Sequence, residues 1–275
     1  MLVRLATTAS IEFLIALRNR WVVIAAAMMG LFALVLSVAG AAPTGDIGVD
    51  HLSVTVASLT SLAVYLVPLI ALLVSFDAIA GEAERGTLAL HLTYPVSRGE
   101  ILGGKLAAQT AVIALAVGTG YAVAAITSFA LGGAGAVAGL AALWRLVWTS
   151  VLLGATFLSL GHMLSCLARR PSGAAGLGVA LWLVAVVLYD LGLLAGIVAD
   201  DGGGFTTRVF PWLLVANPAD SFRIYNLAAS EAVGAASGLA GAAASIATWK
   251  PLASLLFWPV AAALMARAAF GRVLP

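Results

Sequence analysis

Long apolar runs separated by brief polar punctuation dominate this chain. They occupy roughly 21–42, Leu52–Phe76, 106–131, a stretch that begins between 137 and 146 and ends at Arg169-Arg170, then 174–196 and 251–270. A helix rises 1.5 Å per residue, so each run of about 20 residues is long enough to cross a hydrocarbon layer of about 30 Å. The breaks are what such runs need: Pro43, Gly45, Asp46, Gly48 and Asp50 after the first, Gly132, Gly133 and Gly135 after the third, and Pro171-Ser172-Gly173 after the fourth. The pattern predicts an all-α, polytopic membrane protein with about six transmembrane helices.

Residues 2–17 follow a different rhythm. Leu2, Leu5, Ala6, Ala9, Phe13, Ala16 and Leu17 recur at helical spacing, while Arg4, Thr8 and Glu12 lie four apart on another face. Such a helix lies in the membrane interface, or else simply extends the first span. The run after Arg18 and Arg20 is longer than a signal-peptide core, so a retained span is expected despite the small residues Ala39-Gly40-Ala41. The Ala- and Gly-rich stretch Val233–Trp249 is expected in or at the outer surface. A seventh crossing there would place Arg267 and Arg272 outside.

Charge fixes the orientation. Of 14 Lys and Arg residues, ten (Arg4, Arg18, Arg20, Arg85, Arg98, Lys105, Arg169, Arg170, Arg267 and Arg272) are cytoplasmic if the N-terminus is inside. Arg145, Arg208, Arg223 and Lys250 lie outside or near that edge, which is the positive-inside bias. Composition agrees: 63% of residues are hydrophobic and 9% charged, so there is no surface for a soluble domain, and a net charge of +2 gives no footprint for nucleic acid. One cysteine, Cys166, excludes an intramolecular disulfide framework.

The most charged stretch lies between the second and third runs, at 77–105. Asp77, Glu82, Glu84 and Arg85 continue the second span inward as a helix; Gly86 breaks it; Thr87–Tyr94, with Leu88, Leu90 and Leu92, forms a short apolar helix that Pro95 ends. Ser97 and Glu100 fit a capping box that starts the third span, just before which lies Arg98. An exposed apolar helix on the cytoplasmic side is an element that docks on something. The chain contains no Gly-x-x-x-x-Gly-Lys-Ser/Thr sequence, so ATP chemistry, if any, belongs to another chain.

The pattern Asp-x-Ile-x-Gly-Glu-x-Glu-x-Gly-Thr-Leu from Asp77, followed by Pro-Val-Ser-Arg and Gly104-Lys105, resembles the permease subunits of exporter-type ABC transporters. Leu17–Val23, Ser58–Leu62, Leu66–Leu73 and Gly81–Leu88 narrow the resemblance to the NosY-type permeases, which serve the maturation of nitrous-oxide reductase, a copper enzyme. The resemblance covers essentially the whole chain as one permease domain, 1–275, with an interfacial helix at 1–20, a coupling segment at 77–105 and an outer gate or docking segment at 197–250. It implies a coupling helix seated in a cleft of a separate ATPase and a second copy of the chain. It also implies an outer (NosD-like) periplasmic partner and location in a bacterial inner membrane, with both termini cytoplasmic. ATP and Mg would sit on the ATPase and no cofactor on this chain, which is expected to be non-catalytic. The cargo is a sulfur species or copper, or, in other exporter-type systems, a drug, peptide or lipid.

Other residues draw attention on chemical grounds. Asp190 interrupts the fifth span; it either lines a route or a dimer interface, or lies near the outer end and reaches water. It is nearly alone, which counts against a stand-alone ion-driven carrier. Gly192 and Gly196 make a weak packing motif. In the outer segment, Asn217-Pro218 starts a turn, Asp220 or Ser221 caps a following helix, and Arg223 pairs with Asp220 one turn on; the segment is a gate, a docking surface or an ordinary capped interfacial helix. Phe205, Phe210 and Trp212 fit an aromatic belt, and Arg145 is expected to snorkel. His162 and Cys166 share a helix face, but two soft ligands make a poor metal site, and these, with Met163, Met28 and Met29, are read as packing.

Overall fold

The computed structural model describes residues 2–17, 20–40, 51–93, 96–132, 137, 139–228 and 246–273. Among them there is no strand. Helix α1 (Leu2–Leu17) precedes α2 (Arg20–Gly40) and α3 (His51–Ser75). Two short helices, α4 (Ala80–Glu84) and α5 (Thr87–Thr93), lead into the 35-residue α6 (Arg98–Gly132) and then α7 (Leu140–Leu167). The fifth span is continuous from Pro171 to Asp200: α8 (Pro171–Trp182), a wider π-helical stretch (Leu183–Leu188) and α9 (Tyr189–Asp200). A left-handed turn at Asp201 and Gly202 reverses the chain into a π-helical stretch (Phe205–Val209), α10 (Phe210–Ala216) and α11 (Pro218–Ala228). The last helix is α12 (Trp249–Gly271).

Five helical stretches, His51–Glu84, Arg98–Leu131, Leu140–Leu167, Pro171–Asp200 and Trp249–Gly271, are long and apolar enough to cross a bilayer, and the 21-residue α2 makes about six. The loop at 43–50, the glycines 133 and 135, Tyr94-Pro95, and most of Val233–Trp249, whose crossing was in question, lie outside the described residues.

The bundle is built around α3, whose Leu52, Val56, Leu59, Val64, Val67 and Ala71 are all buried, against α2, α6, α7 and α11. Small residues set the close crossings. Any Cβ at Gly161 of α7 would run into Ser75 of α3, one at Gly154 would meet Ile113, and one at Gly120 of α6 would lie 3.1 Å from Met29. Polar side chains bond inside the bundle, as apolar surroundings demand: Ser37 to Ser128 (3.0 Å) and Tyr121 to Ser150 (3.1 Å). By contrast α8–α9 and α12 leave Leu183, Val184, Leu191, Leu194, Phe257 and Leu264 exposed, apolar faces for lipid or another copy of the chain.

Two expectations need refinement. The third span was expected from 106, but its helix begins at Arg98 because the capping box is formed. At about 50 Å it is longer than the hydrocarbon is thick. The polar face of α1 turns toward the protein: Thr8 lies against Gly104 of α6 and Glu12 pairs with Lys105, leaving Ile11, Leu14 and Ile15 exposed. Lipid reverses the soluble rule, because a carboxylate is better satisfied by a buried ammonium than by hydrocarbon.

Candidate functional site

The charged end of the bundle is assembled from segments far apart in sequence. Helix α3 stops at Ser75, and the turn that follows is caught by α7: the backbone N–H groups of Ile79 and Ala80 donate to Ser165 Oγ at 3.1 and 2.9 Å. That hydroxyl satisfies the otherwise orphaned donors at the start of α4. Gly86, with φ +74°, then reverses the chain into α5 at a position where an L side chain would be strained by about 1 kcal/mol or more. The Arg85 guanidinium folds back over Gly81, 3.1 Å from where a Cβ would stand, and Thr87 Oγ1 donates to Glu82 O.

Helix α5 has two sides. Leu88 is buried with Ile79, Ile101, Leu102, Ala266 and Phe270 in a second small core that belongs to this end alone. Ala89, Leu90 and Thr93 face outward, Leu90 at 57% exposure. Glu84 and Arg85 flank this outward side and are exposed; Asp77 is partly so. The side chain of Leu92 and residue Pro95, both expected in the segment, lie outside the described residues.

Lys105 holds the platform together. Its Nζ is 2.5 Å from Glu82 Oε1 of α4 and 2.7 Å from Glu12 Oε1 of α1, and its side chain is 3% exposed. His91 Nδ1 of α5 lies 3.6 Å from the other oxygen of Glu82. One ammonium therefore links α1, the first short helix α4 and the third span. Arg98 performs a different task. Its Nη1 donates to the carbonyls of Phe270, Gly271 and Val273 at 2.7, 3.1 and 2.7 Å, closing the C-terminus of α12, and the guanidinium lies over the Phe270 ring. The capping box forms as expected, with Ser97 N and Oγ both donating to Glu100 Oε2 at 2.9 Å.

The opposite end centres on α11. Asn217, Pro218, Asp220, Ser221 and Phe222 are buried, packed against α3, α7 and α12. Asn217 caps the helix, its Oδ1 accepting from Ala219 N at 2.8 Å, and its Nδ2 donates to Ala185 O within the π-helical stretch at 2.7 Å. The end of α10 is satisfied by three side chains: Tyr189 OH on Leu213 O, Ser221 Oγ on Val215 O and Trp258 Nε1 on Ala216 O, each at 2.8 Å. Asn226 and Thr149 bond across to α7. Arg223 Nη1 reaches Asp220 at 3.3 Å, as the one-turn spacing predicts, and its Nη2 makes the shorter bond, 2.8 Å, to Asp190. Asp190 therefore has company that the sequence conceals, supplied by Arg223 reaching across from α11. Burial first, and then the neighbouring Asp190 carboxylate, push the Asp220 carboxyl up to about 8 against the pull of Arg223. A cavity of about 350 Å³ opens beside these three residues.

His162 and Cys166 do not form a ligand pair. His162 is fully buried and its Nδ1–H donates to Leu158 O at 2.8 Å, while Cys166 packs at the edge of the core around Leu88; among the described residues no group of three metal-ligating side chains exists. Sequence reasoning missed Glu12 and Ser165 as parts of the site, and placed His91 and Lys105 in the segment without seeing their partners. The one available signal was Lys105 itself, which falls in step with the buried Ile101, Leu102, Ala108 and Val112 and so had to find a partner.

A helical bundle crossing the membrane about six times, with a short apolar helix braced at its charged end, is the build of a transporter's membrane subunit. Residues 6–273 match the family described as ABC-2 family transporter protein, and the chain belongs to that family as a permease subunit. It is 41% identical over 264 residues to the "Probable ABC transporter permease protein NosY" of Pseudomonas aeruginosa, covering 96% of this chain and 94% of that one. It is 40% identical over 244 residues to the protein of the same description from Stutzerimonas stutzeri, covering 88% and 86%.

Proposed function

We propose that this permease converts ATP hydrolysis on a separate ATPase subunit into movement of its outer helices, with α5 as the element the ATPase grips. The observation that carries this reading is the two-sided build of α5: buried Leu88 ties it to the bundle, next to α4 that the Lys105 clasp holds, while Ala89, Leu90 and Thr93 face away from it beyond exposed Glu84 and Arg85. A helix that only filled space would bury its leucines on both sides.

The path follows from what touches what. Nucleotide-driven closure of the ATPases, which hold ATP and Mg, displaces α5. Glu82 and Lys105 pass the displacement to α1 and α6, and Arg98 passes it to the end of α12. Helix α3, crossing α7 at Ser75 and Gly161, carries it to α11, where Asn217, Pro218, Asp220 and Arg223 hold a gate. The buried position of those residues favours a gate over direct docking of an outer protein. The charged end faces the cytoplasm of an inner-membrane protein working as a homodimer, with exposed apolar α8–α9 and α12 available to lipid and to the second copy. The NosY likeness supports a sulfur species or copper as cargo for assembly of the copper sites of nitrous-oxide reductase, with a periplasmic accessory protein receiving it.

The test is the purified complex with its ATPase in lipid nanodiscs. Reversing the charges of Glu82 and Glu84, or Leu90→Pro, leaves ATP hydrolysis no longer responsive to the permease; an unchanged response in variants that still assemble defeats the reading.

A further inference from the structure

The outer cluster contains a group that its neighbours leave unsatisfied. Asp220 is 1% exposed; its Oδ1 accepts the 3.3 Å bond from Arg223, and its buried Oδ2 has no hydrogen-bond partner among the described residues. The stronger bond of Arg223 goes to Asp190. One guanidinium thus faces two carboxylates, and with both ionised the cluster carries one uncompensated negative charge. The cavity beside it offers no relief, since its other lining is apolar, including Leu193, Leu194, Ile197, Phe210 and Leu214. Around the cluster, α3 contributes Tyr65 toward Arg223 and α9 contributes Tyr189 toward Asp220. Helix α7 brings Arg145 toward Tyr225 further along α11, and α12 brings the uncharged Trp258 to the end of α10.

We propose that Asp190 and Asp220 bind one proton between them beside Arg223, and that this proton ties α11 to α9 beside the cavity. The acid O–H of Asp220 donates to the Asp190 carboxylate, and Arg223 balances the single charge that remains. Loss of the proton to water turns the acid into a second carboxylate, replaces a hydrogen bond with repulsion and releases α11. A metal cation is disfavoured because it needs several oxygen ligands, and the cavity lining supplies only the two carboxylates. The consequence for transport rests on the gate reading above; the proton itself does not.

Infrared spectroscopy of the permease–ATPase complex in nanodiscs tests it. A protonated-carboxyl C=O band is expected at neutral pH, disappearing as pH rises through about 8. Asp220→Asn abolishes the band, and Asp190→Asn moves its loss to lower pH by removing the neighbouring charge. Absence of the band at neutral pH, its persistence in Asp220→Asn, or its removal by sodium or potassium at fixed pH overturns the proposal. The wild-type titration decides the matter even if a variant fails to fold. Hydrogen exchange of residues 218–228, corrected for the intrinsic effect of pH, should rise across the same interval in the wild type and stay flat in Asp220→Asn. A band that behaves as expected with flat exchange leaves the proton in place but refutes its hold on α11, whereas failure of the gate reading alone changes neither signal.

Discussion

Lys105 and Leu90 illustrate how differently neighbouring residues of one segment contribute. Lys105 is buried between two carboxylates, so Lys105→Met leaves Glu12 and Glu82 without their cation. The expected cost is about 3 kcal/mol, read as a lower thermal midpoint of the purified permease. Adding Glu82→Gln and Glu12→Gln to the same variant should recover most of it, because no unpaired charge then remains. Leu88→Ala opens the small core beneath α5 and should cost about 2–4 kcal/mol. Leu90→Asp, on an exposed face, should leave the thermal midpoint unchanged and abolish co-purification of the ATPase. Retained co-purification with Leu90→Asp would separate α5 from the docking surface. At the end opposite the charged one, Asp220 has its pKa raised on folding, so the stability it lends is complete below the ordinary carboxylate range near 4 and is lost as pH rises through about 8. The stability difference between wild type and Asp220→Asn should therefore change across that window and level off above it.

At the scale of elements, the runs were legible because a bilayer imposes length: His51–Ser75 and Trp249–Gly271 fall within two residues of the ends expected from hydropathy. The short elements were legible where the cause is local, as at Gly86 and in the Ser97–Glu100 box. What stayed hidden were partners distant along the chain. Lys105 meets Glu12 across 93 residues and Arg223 meets Asp190 across 33, and no periodicity encodes such pairs. The burial of α11 was hidden for a related reason. Its Asp220, Ser221 and Arg223 read equally as a gate, a docking surface or a capped interfacial helix until they are seen, with Asn226, bonded inside the bundle. Asn217 is the hinge of that arrangement, capping α11 and reaching the π-helical stretch with one side chain. Asn217→Ala should destabilise α11 by about 1–2 kcal/mol, visible as faster hydrogen exchange confined to 218–228 and its contacts on α7.

Across the whole molecule, α1, the start of α6, the end of α7 and the end of α12 meet at the charged end, so the N-terminal and C-terminal described helices share one side. Reporter fusions give the direct check. A fusion after Val273 should be active only as a cytoplasmic reporter, and one inserted at Gly202-Gly203, in the turn after α9, only as a periplasmic one. The reverse result would invert the molecule.

The bonds from Arg98 to the end of α12 bear on how the protein is made. Helix α12 leaves the ribosome after every other described helix, yet Ala266 and Phe270 complete the core under Leu88, and its last two carbonyls, with that of Val273 just beyond, are the partners of Arg98. A chain still being synthesised already displays α5 but lacks the floor that holds it in place. If α5 is the helix that an ATPase grips, as proposed above, its platform is complete only once α12 has been made.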